Sequence, residues 1–330
     1  MRAREDTSMI PERYASYEKT VTLGAANFTC VPGDKAANLE KIELTIHEAA
    51  SQGIDIVAFP EEALTGCGGC SPCLEGAEHC DYHADLAETV PGPSTERVAE
   101  LAKKLDIYVA FGMIERDPHD PSVLYNAAAL VGPEGIQGTY RKLHLGSLPW
   151  VTEGITFKPG TAIPIFETRF GPIGLIICYD FWFNPELTRL LALKGARVIL
   201  NCCASFDAPL KRENMIGTTC TRAQENLVYT LSANQVSGSD RPESYAAGAV
   251  DEGRSGHYAG NSVIAGPSFP RFAEPLAVAG PAEELISATV SFEKLHRWEN
   301  IFPWREWRAT RLSATSKLIA SEFEKLVHGP

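Results

Sequence analysis

Cys178 is the residue of this sequence that is best placed to act as a nucleophile. It ends the apolar run Ile173-Gly174-Leu175-Ile176-Ile177 and precedes the helix signal Asn184-Pro185-Glu186. A thiol at a turn from a strand to a helix points into a cleft, where free N–H groups of the turn can hold an oxyanion. A lone cysteine after an apolar strand is more often a small core residue. The chemistry therefore depends on which partners reach it.

Two other segments carry suitable partners at the ends of apolar runs. Glu61 ends Phe59-Pro60-Glu61, and Lys142 lies in Tyr140-Arg141-Lys142-Leu143-His144-Leu145. A carboxylate can take the proton of a thiol, and an ammonium group stabilises both a thiolate and an oxyanion. His144 is the alternative base, since it would share a face with Lys142 in a strand. Taken singly, each residue is more typical of a surface or loop charge, so the prediction rests on their convergence.

Composition excludes several classes of protein. The 330 residues are 44% hydrophobic and 22% charged, which is ordinary for a globular enzyme with a large core. The net charge of −12 argues against a nucleic-acid partner. Membrane insertion is not expected, since no apolar run reaches the ~18 residues of a spanning helix. Nine cysteines and a polar start with no export signal predict reduced thiols and a cytoplasmic protein.

Periodicity predicts strands that alternate with helices, with some hairpins. This pattern favours one layered α/β domain with mixed sheets. The predicted strands are Val21–Phe28, Ile54–Phe59, Ile107–Ile114, Tyr125–Val131, Ile136–Arg141, Ile173–Ile177, Val198–Asn201, Leu227–Ala233, Ser262–Ala265 and Ile286–Phe292. The predicted helices are Ala36–Ser51, Ser94–Lys104 with Ser94 as the N-cap, Pro185–Lys194 with Asn184 as the N-cap, Lys211–Asn226 and Ser313–Val327.

The motifs around the three residues resemble those of the nitrilase superfamily, the carbon–nitrogen hydrolases. Phe59-Pro60-Glu61 resembles its first motif, Tyr140-Arg141-Lys142 its second, and Gly174-Leu175-Ile176-Ile177-Cys178-Tyr179-Asp180 its third. The resemblance makes Glu61, Lys142 and Cys178 a catalytic triad. Glu153 resembles a second glutamate of the family, because it stands just before the aromatic-x-Pro-Gly signature Phe157-Lys158-Pro159-Gly160.

The resemblance implies a fold and a mechanism. The fold is a four-layer αββα sandwich with mixed β-sheets, formed by residues 20–295. Residues 1–19 form an N-terminal arm, and residues 296–330 a C-terminal tail that packs at the interface of a homodimer or larger homo-oligomer. In the implied mechanism Cys178 attacks the substrate carbon, Glu61 moves protons, and Lys142 with the Tyr179 backbone N–H holds the oxyanion. The mechanism needs no metal and no cofactor.

Asp180 narrows the substrate class within this family. Members that hydrolyse nitriles usually have Trp-Glu after the nucleophile, whereas Tyr179-Asp180 resembles amidases and carbamoylases. A small carboxamide is therefore the favoured substrate. The alternatives are an N-carbamoyl compound, a nitrile, and a binding protein that has lost catalysis. A carboxylate on the substrate would need a cation, for which the candidates are Arg212, Arg241 and Arg254.

Other features leave alternatives open. An aromatic pocket can be built from four side chains, each of which suits core or interface packing equally well: Trp150, Trp182, Phe206 and Tyr258. Asn184 is one residue more than the family pattern has after the nucleophile, which predicts a changed pocket wall. One loop has cysteines at spacings that could hold zinc, although a reduced Gly-rich loop is the simpler interpretation. These cysteines are Cys67, Cys70, Cys73 and Cys80.

Overall fold

The computed structural model describes residues 11–66, 81–148, 151–237 and 257–328. The strands are β1 Thr20–Asn27, β2 Ile56–Ala58, β3 Tyr108–Arg116, β4 Leu124–Gly132, β5 Gly135–Arg141, β6 Ser147–Leu148, β7 Val151–Thr152, β8 Ile173–Ile177, β9 Val198–Cys203, β10 Tyr229–Asn234, β11 Val263–Gly266, β12 Glu274–Val278 and β13 Glu284–Ser291. The α-helices are α1 Lys35–Ser51, α2 Asp81–Leu86, α3 Pro93–Leu105, α4 Glu153–Thr156, α5 Tyr179–Phe183, α6 Pro185–Leu193, α7 Lys211–Asn226, α8 Phe292–Ile301 and α9 Trp304–His328.

Two mixed sheets form the centre of the molecule. The first has six strands in the order β13-β1-β2-β3-β4-β5, and the second has five in the order β12-β11-β10-β9-β8. Parallel pairing joins β1 to β2, β2 to β3, β8 to β9 and β9 to β10, whereas the outer strands pair antiparallel. The mixed α/β architecture predicted from the alternating elements is confirmed.

The inner strands β2, β3 and β4 of the first sheet are buried on both faces, so that layers pack on each side of the sheet. In β2, Ile56 and Ala58 enter the core between the sheets, whereas Val57 joins a second core beneath α1 and α3. On the far side of the second sheet, Met215 of α7 packs against Cys203 of β9. Helices thus cover both outer faces, and the predicted αββα sandwich is confirmed.

The carboxyl ends of three strands carry the predicted catalytic residues. Glu61 follows β2, Lys142 directly follows β5 and Cys178 directly follows β8. Gly112 of β3 lets the Glu61 turn lie close, because its N–H donates to the Pro60 carbonyl at 3.0 Å. A Cβ at Gly112 would lie 2.2 Å from the backbone nitrogen of Glu62. Only glycine therefore permits this approach.

Several details of the sequence prediction are wrong. Helix α3 begins at Pro93 with Gly92 as its N-cap, because the Ser94 hydroxyl donates to the Glu88 carboxylate instead of capping the helix. The last helix begins at Trp304 rather than at 313. Helix α8 and strand β12 have no predicted counterpart. The strand contains Pro275, which is untypical of strands, and the polar residues of α8 obscure its few core-facing positions.

Gly112→Ala should lower the free energy of unfolding by about 1–3 kcal/mol, because the new methyl group forces the Glu61 turn away from β3. Chemical denaturation of the purified variant would measure this loss. Gly217→Ala is the matched control, since a Cβ there meets nothing within 4 Å and the residue lies within α7. Equal stability of the two variants would contradict the proposed close approach.

Candidate active site

Lys142 holds its ammonium group between two carboxylates. Its Nζ lies 2.7 Å from Glu61 Oε1, and 2.7 and 2.8 Å from the two carboxylate oxygens of Glu153. Lys142 and Glu61 are buried, and the Glu153 side chain is only 13% exposed. Burial alone disfavours the charged lysine, but the carboxylates of Glu61 and Glu153 outweigh it and raise the pKa of Lys142 well above its usual value. Lys142 is therefore a permanent cation at neutral pH.

Asn126 is a site residue that the sequence analysis missed. Its Nδ2 donates to Glu61 Oε1 at 2.9 Å and to Glu153 Oε1 at 2.7 Å. The amide thus bridges two like charges from a fully buried position on β4. A polar residue inside the apolar run Leu124–Gly132 was the only sequence signal for it.

The backbone around Lys142 is fixed on both sides. Its N–H donates to the Asn126 carbonyl at 2.9 Å, and its carbonyl accepts from the Gly160 N–H at 2.8 Å. A Cβ at Gly160 would lie 2.2 Å from the carbonyl oxygen of Arg141. The glycine of the Phe157–Gly160 signature is therefore needed for contact with the lysine segment. Glu153 lies at the start of α4, where it also accepts from the Gly146 N–H at 2.5 Å.

Cys178 occupies a strained turn between β8 and α5. Its φ of 42° and ψ of −98° lie outside the regions that most residues adopt. The turn is held because the Cys178 N–H donates to Asn201 Oδ1 at 2.8 Å and to the Cys202 carbonyl at 3.0 Å. Asn201 is a second residue that the sequence analysis missed, and it too is a polar residue within an apolar strand.

The thiol shares an electrostatic environment with the lysine cluster. Burial, followed by the negative charge of Glu61, raises the pKa of Cys178 to about 12, although Lys142 acts in the opposite direction. The Ala204 N–H donates to Glu61 Oε2 at 3.1 Å and also favours the thiolate of Cys178. The Ser205 hydroxyl lies 3.9 Å from Cys178 Sγ. The structure therefore brings the predicted residues Glu61, Lys142, Glu153 and Cys178 together.

The predicted aromatic residues have different surroundings. Phe206 directly follows Ser205, and its ring stacks on that of Tyr258 with centroids 5.0 Å apart. The Trp182 side chain packs with the apolar residues that Cys178 also touches, and its ring lies 5.7 Å from the Lys211 ammonium. Trp150 lies outside the described residues. A substrate-binding role for these side chains stays a prediction.

His144 and Asn184 make other contacts than those expected from the sequence. His144 does not share a strand face with Lys142, because β5 ends at Arg141, and its Nδ1 lies 2.7 Å from Asp180 Oδ1. Asn184 occupies the N-cap position of α6 without a capping side-chain hydrogen bond. Its Nδ2 donates instead to the Tyr179 carbonyl at 3.2 Å. The extra residue therefore joins the two helices that follow Cys178.

Several predictions fall outside the described residues. These are the zinc hypothesis for Cys67, Cys70, Cys73 and Cys80, and a carboxylate-binding role for Arg241 and Arg254. Arg212 is described and lies exposed on α7. Within the described ranges, no three or more His, Cys, Asp and Glu side chains are grouped to hold a metal ion. None of the described helices combines the length and apolar character needed to cross a membrane.

Comparison with known proteins agrees with the fold and the motifs. The family model described as carbon-nitrogen hydrolase matches residues 20–300. A protein named nitrilase from Pyrococcus abyssi is 35% identical over 251 residues, 76% of this chain and 81% of its own length. Omega-amidase NIT2 from Xenopus tropicalis is 32% identical over 281 residues, 83% of this chain and 90% of its own length.

Solved structures share the same fold. A carbon-nitrogen hydrolase from Helicobacter pylori G27 aligns with a TM-score of 0.74 at 21% identity, covering 91% of this chain and 98% of its own. An amidase mutant from Nesterenkonia sp. AN1 aligns with a TM-score of 0.63 at 21% identity, covering 88% of this chain and 98% of its own. In that structure the acetamide moiety of fluoroacetamide is covalently added to the active site cysteine. The fold is that of the nitrilase superfamily.

The chain belongs to the carbon–nitrogen hydrolase family.

The raised pKa predicts how the Cys178 thiol reacts in the free protein. Its reaction with methyl methanethiosulfonate, which forms a methyl disulfide and releases methanesulfinate, should rise about tenfold per pH unit from pH 7 to 10, because the thiolate fraction is still far from saturation. Intact-mass spectrometry and peptide mapping would follow labelling at Cys178, with Cys178→Ala as the control for other thiols. A rate that levels off near pH 8.5–9, as for an ordinary thiol, would contradict the raised pKa.

Proposed function

We propose that this protein hydrolyses small linear carboxamides through a thioester on Cys178. The observation that carries the proposal is the buried cluster in which Lys142 contacts both Glu61 and Glu153 beside the Cys178 thiol. Such a cluster pairs a proton acceptor and a fixed cation with a nucleophile at one point. The omega-amidase relative supports an amide as the substrate.

The first half of the reaction forms the acyl-enzyme. Glu61 takes the thiol proton as Cys178 Sγ attacks the amide carbon. The resulting oxyanion accepts hydrogen bonds from Lys142 Nζ and from the Tyr179 backbone N–H, which has no acceptor within α5 because Tyr179 is its first residue. The C–N bond then breaks, and the nitrogen leaves as ammonia with the proton from Glu61.

The second half releases the acid. Glu61 takes a proton from water as the water oxygen attacks the thioester carbon, and the same two donors hold the new oxyanion. The C–S bond breaks, and the proton on Glu61 returns to the thiolate. Glu153 keeps Lys142 in place and helps to position the water, since both carboxylates share the Asn126 amide.

An N-carbamoyl amino acid is the second candidate substrate. Lys211 favours it, because its ammonium lies 5.7 Å from the ring of Trp182, whose side chain packs in the same cluster as Cys178. A cation there can pair with a substrate carboxylate. The same cation would serve an amide that carries a carboxylate at its other end.

A substrate panel read as ammonia release separates these alternatives. It contains acetamide, succinamate, N-carbamoyl-β-alanine and the nitriles of matching length. We expect succinamate or acetamide to be hydrolysed fastest and to leave an acyl adduct on Cys178 in intact-mass spectra. Faster hydrolysis of the carbamoyl compound or of a nitrile would contradict the proposal that a carboxamide is the substrate. No turnover of any compound would favour a binding protein.

The catalytic roles predict the behaviour of three variants. Cys178→Ala should abolish hydrolysis, and Glu61→Gln and Lys142→Met should each lower kcat by about 10²–10⁴-fold, because each removes a proton carrier or an oxyanion donor. Lys103→Met, an exposed change on α3, is the control and should keep wild-type kcat. Ammonia release and circular dichroism would be measured together. A folded Cys178→Ala protein with wild-type turnover would exclude this nucleophile.

We also propose self-association as a homodimer or larger homo-oligomer, with residues 296–330 at the interface. On α9, Leu318, Ile319, Phe323 and Leu326 are each at least half exposed in the single chain. Light scattering should give at least twice the 35.9 kDa of one chain. The double variant Phe323→Glu, Leu326→Glu should return toward the single-chain mass, because charge opposes apolar contact. A single-chain mass for the wild type would contradict this proposal.

A further inference from the structure

The candidate active site is divided between the two sheets. Glu61 and Lys142 follow strands of the six-stranded sheet, whereas Cys178 follows β8 of the five-stranded sheet. The core between these sheets is apolar, with residues such as Leu130 of β4 and Leu175 of β8. Apolar contact is non-directional, so it does not by itself fix one sheet at a defined offset from the other. Directional contacts across the interface must set the distance between the nucleophile and its partners.

Asp180 makes such contacts. The residue is fully buried, and its two carboxylate oxygens accept four hydrogen bonds. Oδ2 accepts from the Tyr140 hydroxyl at 2.6 Å and from the Leu143 N–H at 2.9 Å. Oδ1 accepts from the His144 N–H at 2.9 Å and lies 2.7 Å from His144 Nδ1. All these donors belong to residues that flank Lys142.

We propose that Asp180 is a positioning residue that fixes the Lys142 segment with respect to Cys178. Its backbone lies two residues after the nucleophile in α5, and its side chain hydrogen-bonds to Tyr140, Leu143 and His144 on either side of the lysine. The carboxylate therefore ties the two sheets together where the reaction occurs. This inference rests on the catalytic roles proposed above for Lys142 and Cys178.

The donors make the link specific for a carboxylate. Two of them are backbone N–H groups, which no substitution of Leu143 or His144 removes. Burial, together with the charge of Asp180, raises the pKa of Tyr140, so its hydroxyl stays a donor. An asparagine at position 180 has only one acceptor oxygen, and its NH₂ group would face a backbone N–H, of Leu143 or of His144, in either orientation. Asp180→Asn thus breaks half of the link with almost no change in volume.

In the sequence, Asp180 indicated the substrate class. The structure assigns it a different role. Asp180 has no exposed surface, so its side chain does not form part of the wall that a substrate would touch. Its length sets the spacing between α5 and the Lys142 segment. A longer acid at the same position would add one methylene to that spacing, and so it would shift the lysine relative to the thiol.

The test compares Asp180→Asn with wild type on succinamate, or on the best amide of the panel. We expect kcat to fall about 100-fold, the effect of a misplacement near 1 Å, with KM changed by less than about threefold. The rate at which methyl methanethiosulfonate forms a disulfide with Cys178 should change by less than about threefold, because this reaction needs the thiolate but no oxyanion donor. If Asp180 only stabilised the fold, kcat and the rate of disulfide formation at Cys178 would fall together.

Glu88→Gln is the matched control for loss of a buried carboxylate. Glu88 is buried, accepts from the Ser94 N–H and hydroxyl, and pairs with Lys35 away from the site. It should lower Tm as Asp180→Asn does, while kcat stays unchanged. A wild-type kcat for folded Asp180→Asn would overturn the positioning role alone. No amide turnover by the wild type would overturn the proposed function and, with it, this role.

A second variant tests the same hydrogen bonds in case Asp180→Asn does not fold. The double change Tyr140→Phe, His144→Ala removes both side-chain partners and keeps both backbone donors. The His144 side chain is 44% exposed, so its replacement is tolerated. A loss in kcat of about tenfold at constant KM would support the positioning role. A kcat within about twofold of wild type would overturn it.

Discussion

The charge of a buried ammonium group must be balanced by nearby carboxylates and hydrogen bonds. Lys142 is such a group, and the residues around it are arranged to balance its charge. Removing such a charge from water costs several kcal/mol unless carboxylates and hydrogen bonds replace the solvent. Glu61, Glu153 and Asn126 provide that replacement. They come from a turn after β2, the start of α4 and the middle of β4. One cation therefore dictates how three separate elements meet at an edge of the first sheet.

The second sheet carries the proposed nucleophile, and hydrogen bonds join this sheet to the Lys142 cluster. The Ala204 N–H, just beyond β9, donates to the Glu61 carboxylate, and the Gln235 side chain, just beyond β10, donates to the Glu61 carbonyl at 2.8 Å. Asp180 reaches the Lys142 segment in the same way. These hydrogen bonds fix the position of one sheet relative to the other at the proposed active site. The proposed mechanism and the packing of the two sheets thus depend on the same contacts.

The sequence predicted the architecture well because both sheets are built from short apolar runs with clear helical periods between them. The positions of Glu61, Lys142 and Cys178 followed from strand ends and from the family resemblance. Asn126 and Asn201 could not be predicted, because their roles depend on residues far away in the chain that only the fold brings near. Helix α8 was missed for a related reason, since its Phe292 and Leu295 become core residues only when they meet the second sheet.

The protonated state of Cys178 at rest has a consequence for the lifetime of the enzyme. Peroxides oxidise thiolates far faster than thiols, so a cysteine with a pKa near 12 is a poor target for them at neutral pH. The neighbouring Cys202 and Cys203 are buried, and burial raises the pKa of each thiol as well. A raised pKa would therefore protect the proposed nucleophile from oxidation, except in the step of the proposed mechanism in which Glu61 holds its proton.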